Sequence, residues 1–472
     1  MNTRSEHHNS EALDVPIQFV PTPTWEYRAH NKELSAQAAP SLRPSPKPMV
    51  LSRNLPGARV LMWKQDPSVT EIGVRKVYLP THVYPGPRDS RIAIQGVAPV
   101  IPNVFGDMIQ VPGSEAFDAV HTFAVVRETL SMFQRVLHPA PIPWQWNSAS
   151  NAIPLNVMPY GLPDIPNAFY SRNTKSLRFG HFEKPNSNPP QRMYTCRSLD
   201  IVAHETGHAI LDGIKPNWIT SDNLPQTGAL HESFADLTAI FLALAQMDQV
   251  EAIIAQTKAN LHDKTFLADV AEEMGLALGR SNGLRNADNN FKLSQPGVGT
   301  NVHALSQVFT GGVYDVLADI FAFEQRSAKK DDALVLYETG LYVCSLVLRA
   351  IIAAPNVGAT FADVVNRMIS LTTADGKPVQ YRNYIRNRYV YREVIASPTS
   401  LREDLAAGVE LASHVHDASD AVQNRCQCCG TLQNAEYSGE DEALEVEIVQ
   451  FKEALAEGEK KRKEPPKLVG RG

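Results

Sequence analysis

Cysteine is scarce in this chain and badly placed for disulfides. There are five in 472 residues, and Cys426, Cys428 and Cys429 crowd together near one end. An odd number in that arrangement is not the framework of a small secreted scaffold. Long apolar runs are missing as well. The nearest, Leu341 to Ala354, is broken by Arg349, so no membrane span is expected. Positive charge is not in excess: 45 Lys and Arg stand against 51 Asp and Glu, for a net charge of −6. That balance argues against nucleic acid and against anionic membrane surfaces as partners. The opening residues, Met1 to His8, are polar and lead into no apolar core, so no secretory signal is evident. These absences lead to the expectation of an ordinary globular protein, cytoplasmic or exported by a route that needs no N-terminal signal.

What is present divides the chain into four stretches. Residues 1–48 are rich in Pro, Ser, Ala and His and carry neither helical nor strand period, so they read as a disordered segment. Residues 49–214 open with short β-branched runs, Ala58 to Trp63 and Gly73 to Leu79, punctuated by Pro and Gly. Ser114 followed by Phe117, Val120, Phe123, Val126, Leu130 and Phe133 predicts a capped amphipathic helix, and Ile142 to Phe182 reads as β again. A helix from Leu199 to about Ile214 closes this lobe. Residues 215–416 read as helical, over about 228–246, 265–279, 302–324, 332–353, 360–372 and 399–413. The expected fold class is therefore α+β, a β-rich lobe followed by a mostly helical one. Residues 417–472 are a charged tail holding the cysteine cluster. In its 440–457 stretch Leu444, Ile448, Phe451 and Leu455 recur at helical spacing, which suits packing on its own domain or docking on a partner.

The chemistry concentrates in His204-Glu205-Thr206-Gly207-His208. Positions i and i+4 share a helix face, so His204 and His208 can point two imidazoles at one metal. Apolar neighbours, Ile201 to Ala203 and Ala209 to Leu211, predict that this helix is buried. Buried imidazoles and a carboxylate need a common partner, and a metal supplies one. Glu205 lies one step round the helix, within reach of a water on that metal. Glu232, in Ala229-Leu230-His231-Glu232-Ser233, offers a third ligand from the next helix. Three ligands leave tetrahedral zinc one open position, as catalytic sites require.

These segments, in this order, resemble the thermolysin-like metallopeptidases, a family of zinc endopeptidases. Asp200 to Ala209 resembles the family's zinc helix, and Gly228 to Asp236 its third-ligand helix. Asn167-Ala168-Phe169-Tyr170 is similar to its substrate-binding edge strand, Leu284 to Asp288 to the segment with its substrate-binding arginine, and Val302 to Ser306 to the one with its catalytic histidine. The resemblance implies a two-lobed fold with the zinc helix at the junction. It implies His204, His208 and Glu232 as zinc ligands, Glu205 as general base and His303 as oxyanion donor. It also implies Asp236 orienting His204, and Arg285, Asn167 and Ala168 holding a peptide or protein substrate, with Ile201 and Leu284 lining an apolar pocket.

The chain departs from that pattern in places. No long propeptide or signal is evident. Asp200 matches a calcium-binding carboxylate of the family, but Phe241-Leu242-Ala243-Leu244 offers no acid at the matching place, which argues against calcium there. No aspartate precedes His303 closely, leaving Asp288 as the candidate to orient it, and Trp218 is the nearest aromatic where the family has a hydroxyl-bearing one. The expected function is a zinc-dependent endopeptidase. The alternative is a non-catalytic, metal-stabilised binding scaffold, against which the presence of Glu205 argues. A thiolate from the Cys426/Cys428/Cys429 cluster is a further candidate, either as a restraint on the open zinc position or as a second metal site.

Overall fold

The structure is a computed structural model that describes residues 57–148, 152–184, 187–219, 224–277, 283–300, 302–327 and 329–396. They belong to one compact unit. The N-terminal segment, the helix expected over 399–413, the cysteine cluster and the 440–457 stripe lie outside them.

The first half is a mixed β region. Strands β1 (Ala58–Trp63) and β2 (Val74–Leu79) form an antiparallel hairpin. A second sheet holds β3 (Ile92–Ile94), β4 (Leu155–Pro163), β5 (Ala168–Ser171), β6 (Ser176–Glu183) and β7 (Arg192–Tyr194). Its order is β3-β4-β6-β5, with β7 on β6; the first three strands run parallel and β5 and β7 antiparallel to β6. Between β3 and β4 in sequence comes α1 (Glu115–Leu137), whose N-cap Ser114 accepts from the Phe117 amide as its sequence pattern predicts.

The second half is helical. It comprises α2 (Leu199–Ile214), α3 (Pro225–Leu244), α4 (Met247–Thr257), α5 (Glu272–Ala277), α6 (Val302–Ser327), α7 (Asp332–Ala353), α8 (Phe361–Ala374) and α9 (Val379–Tyr391), with a small ribbon of β8 (Asp269–Val270) and β9 (Arg285–Asn286) between α4 and α6. The α+β expectation, β-rich and then mostly helical, is what the structure has. Within it, the helix expected over 265–279 shrinks to α5. Ala271 adopts a left-handed φ of 55°, which breaks the helix and leaves Asp269 and Val270 to pair as a strand. Helices α4 and α9 were not anticipated. The apolar side of α9 is narrow: only Tyr381, Ile385, Arg388 and Tyr389 are buried. By length and composition α7 could cross a membrane, yet most of it is buried within this fold against α8, α4, α6 and α3.

Two contacts fix the site. Helix α2 starts at the cap Ser198, which accepts from the Ile201 amide, and packs on both α1 and α3. The α2–α3 approach is close because Gly207 has no side chain: a Cβ there would stand 2.8 Å from Thr238 Oγ1 and 3.0 Å from Ala235 Cα. That approach brings Glu232 against the two histidines. Cys196 and Cys344 are buried thiols, and burial pushes Cys344 up to about 12.

Candidate metal centre

His204, His208 and Glu232 meet, fully buried, with ligand atoms all within 4.8 Å of one another. His204 Nε2 lies 3.1 Å from His208 Nε2. Glu232 Oε2 is 3.6 Å from His204 Nε2, and its Oε1 is 3.5 Å from His208 Nε2. Four ligands at about 2.0–2.1 Å around tetrahedral zinc stand roughly 3.3 Å apart. The three edges found here bracket that value, so the donor set fits zinc in type and in size. A cation between two facing imidazole nitrogens and a carboxylate would satisfy all three in a dry core.

The outer side of each ligand is committed. His204 Nδ1 is 2.9 Å from Asp236 Oδ1. Asp236 in turn accepts from Arg285, at 2.9 Å from Nε and 2.6 Å from Nη2. Burial opposes the Asp236 charge, but Arg285 and His204 outweigh it and hold the carboxyl below its usual range. His208 Nδ1 is 2.7 Å from His231 Nδ1. Glu232 Oε2 is 3.0 Å from His303 Nδ1. Burial works against the Glu232 charge too, and the imidazoles of His303, His208 and His204 together keep it ionised. His208 titrates well below an ordinary histidine because burial removes it from water, only partly offset by Glu232.

The remaining expected residues are near but not all in the pose expected. Glu205 is fully buried, and with His204 it lines a pocket also formed by Ala168, Ile201, Val270, Ala271, Met274, Leu284 and Arg285. Ile201 and Leu284 therefore do face a largely apolar pocket beside Glu205. Arg285 reaches this pocket while its guanidinium lies on Asp236, so it also belongs to the hydrogen-bond network behind His204. Asn167 is 1% exposed: its amide donates to Ile165, its carbonyl accepts from Gly180, and its side chain accepts from Ala168 N at 2.8 Å. Ala168 begins β5, the outer strand of its sheet among the described residues.

Three further candidates are placed elsewhere. Asp288 does not orient His303. It bonds His262 Nδ1 at 2.9 Å, in a network where Asp315 takes Arg392 and Asp319 takes Arg388. His262, Asp288 and Asp315 come close enough to hold a cation, but the two arginines already supply the positive charge. Arg392 also binds the Asn289 side chain and the Phe291 carbonyl, pinning the loop after Arg285 from the end of α9. Trp218 donates to the Pro355 carbonyl at 2.9 Å and is buried away from chemistry. Asp200 is crowded by other acids. Asp66, in the loop after β1, and Glu272, on α5, share its surroundings, and all three carboxyls are pushed up by burial first, with Asp200 and Glu272 raised further by their neighbours' charge.

His231 is the site residue that sequence reasoning passed over. It is fully buried, and burial pushes it down to about 4, so the ring is neutral. The signal was available as a histidine adjoining a predicted ligand on a buried helix.

Among solved structures the chain is similar to one described as "Precursor of Protealysin, Metalloproteinase from Serratia proteamaculans". The two are 13% identical, the match covers 61% of this chain and 81% of that chain, and the TM-score is 0.40. No protein-family model matches the chain, and no curated protein matches it.

Proposed function

We propose that the chain is a zinc-dependent endopeptidase. The observation that carries this reading is the buried Nε2, Nε2 and carboxylate set at zinc spacing, with the Glu205 carboxylate on the same helix facing an apolar pocket. Zinc held by His204, His208 and Glu232 would lower the pKa of a bound water and polarise a scissile carbonyl. Glu205 takes the proton of the attacking water and returns it to the leaving amine. His303 lies across the centre on α6. With its Nδ1–H on Glu232, it can donate from Nε2 to an oxyanion only as the imidazolium. Asp236 keeps the His204 proton on Nδ1, leaving Nε2 for the metal. A peptide would lie along β5, where Asn167 and Ala168 shape the edge, with Arg285 at one end and an apolar side chain beside Ile201 and Leu284.

The test is Glu205→Gln in the full chain. The variant is expected to keep one zinc and lose about 10²–10⁴-fold of its activity on an unstructured protein such as casein. Equal cleavage by the variant and the parent would defeat the proposed role of Glu205. A parent chain that holds zinc and cleaves nothing would favour the binding-scaffold alternative.

A further inference from the structure

His208 is held from its outer side by another histidine, and the geometry identifies what that contact is. The two Nδ1 atoms are 2.7 Å apart, inside hydrogen-bond range. The ring centroids are 4.9 Å apart and the planes differ by only 23°. Two rings piled face to face at that separation would not bring their nitrogens so close. Two rings lying edge to edge, nearly in one plane, would. The contact is therefore an in-plane hydrogen bond.

Its direction follows from the centre itself. His208 turns Nε2 toward His204 Nε2 and Glu232, the side where a metal would sit. A ligating imidazole gives up the proton on that nitrogen and keeps the one on Nδ1. His208 Nδ1 is then the donor and His231 Nδ1 the acceptor. His231 must carry its own proton on Nε2, and that atom is buried with no hydrogen-bond partner among the described residues. A fully buried, half-satisfied imidazole next to a carboxylate on the same helix is a poor choice for stability alone. An apolar side chain of similar size would fill the space without stranding a donor.

We infer that His231 is a positioning residue for the metal centre: its ring accepts from His208 and so fixes the tautomer and aim of the second zinc ligand. The inference rests on the metal reading above. It makes the two histidine ligands unequal. His204 is backed by an anion, Asp236, which Arg285 neutralises. His208 is backed by an uncharged ring. One turn of α3 thus serves the centre twice, with Glu232 facing the metal and His231 facing the back of His208.

The experiment uses the full chain and zinc itself. Zinc content and affinity are measured by competition with a chromogenic chelator, and thermal unfolding is recorded on the metal-free proteins. His231→Leu should weaken zinc binding about 10–100-fold, the usual loss when a ligand's outer partner is removed. The metal-free Leu variant should melt no lower than the parent, because it sheds an unpartnered buried group. His231→Asn, whose side-chain oxygen can accept, should recover most of the affinity. A merely structural role for His231 would give the reverse: a lower melting temperature in the Leu variant and unchanged zinc affinity. That result overturns the inference, as does an Asn variant no better than Leu. If the Leu variant does not fold, the Asn variant decides alone: affinity within a few-fold of the parent sustains the inference, and a loss as deep as 100-fold defeats it. A parent chain that takes up no zinc, or keeps it in His204→Ala, overturns the metal reading and this inference with it. A parent with one His204-dependent zinc, and a His231→Leu variant that binds it equally well, overturns the inference alone.

Discussion

One face of α2 carries two kinds of buried polar chemistry a single turn apart. At Asp200 the neighbours are of one sign: Asp66 and Glu272 press on it, Asp66 Oδ2 and both Glu272 carboxylate oxygens have no hydrogen-bond partner among the described residues, and the carboxyls are driven toward their neutral forms. At His204 and His208, four and eight residues on, each group has a complementary partner: Asp236 with Arg285, Glu232 with His303, and His208 with the neutral ring of His231. At the metal centre the surroundings keep Glu232 and Asp236 ionised against burial. Burial alone does not decide charge; the sign and geometry of the partners do. The candidate metal centre keeps its carboxylates charged, as a cation site requires. The acid cluster is built so that protons, or some other cation, must relieve it.

The contrast can be broken at its strongest point first. Glu232→Ala removes the ligand from the second helix and leaves two facing imidazoles. Zinc should be lost entirely at concentrations that saturate the parent, measured as metal content after dialysis. Retained zinc would mean that the centre is not the one described.

Asp236→Asn keeps the shape but removes the anion behind His204 and strands Arg285. Zinc affinity should fall about 10–100-fold. Stability should fall by about 3–5 kcal/mol, since the buried guanidinium loses its carboxylate. Chemical denaturation of the metal-free protein reads the second effect separately from the first.

Gly207→Ala tests whether the helix approach sets the ligand geometry. The added methyl meets Thr238 and Ala235, and overpacking of this kind costs about 1–3 kcal/mol. Melting temperature and zinc affinity should drop together, because the shift moves Glu232 away from the histidines. A drop in melting temperature with zinc affinity intact would uncouple the packing from the site.

Asp66→Asn should give the smallest effect and the opposite sign. Asp66 has a folded pKa raised from 3.8 by burial. A raised carboxyl contributes stability below its ordinary pKa and loses it as pH rises through the folded value. The parent should therefore lose stability as pH climbs above about 4. Asn keeps the acceptor that Ser68 and Glu273 use and removes the titration. The variant should melt roughly 2–4 °C above the parent at pH 8 and show no such gain at pH 4. A lower melting temperature at pH 8 would mean that a cation had been relieving the cluster.

The metal centre was the more legible of the two regions. His204 and His208 are local, four apart on an apolar helix, and Glu232 follows within one helical hairpin. Periodicity and burial suffice for such a pattern. The acid cluster joins residues 66, 200 and 272, which no local pattern connects. Ser114 announced α1 because caps are written in sequence. Helix α9 was hidden, since apart from Ile385 it is anchored by arginines and tyrosines whose partners come from α6 and the loop before it. Asp288 was close in sequence to the segment that holds His303 and yet turned to His262. His231 was missed because a histidine beside a ligand reads as spacing until the rings are seen in one plane.

The central claim is a zinc-dependent peptidase, and one measurement reaches it most directly. Zinc is counted in the purified full chain while casein hydrolysis is followed with and without a chelator. The account predicts one zinc per chain and cleavage that the chelator stops and added zinc restores. Cleavage indifferent to the chelator, or a chain without zinc in His204, His208 and Glu232, would contradict it.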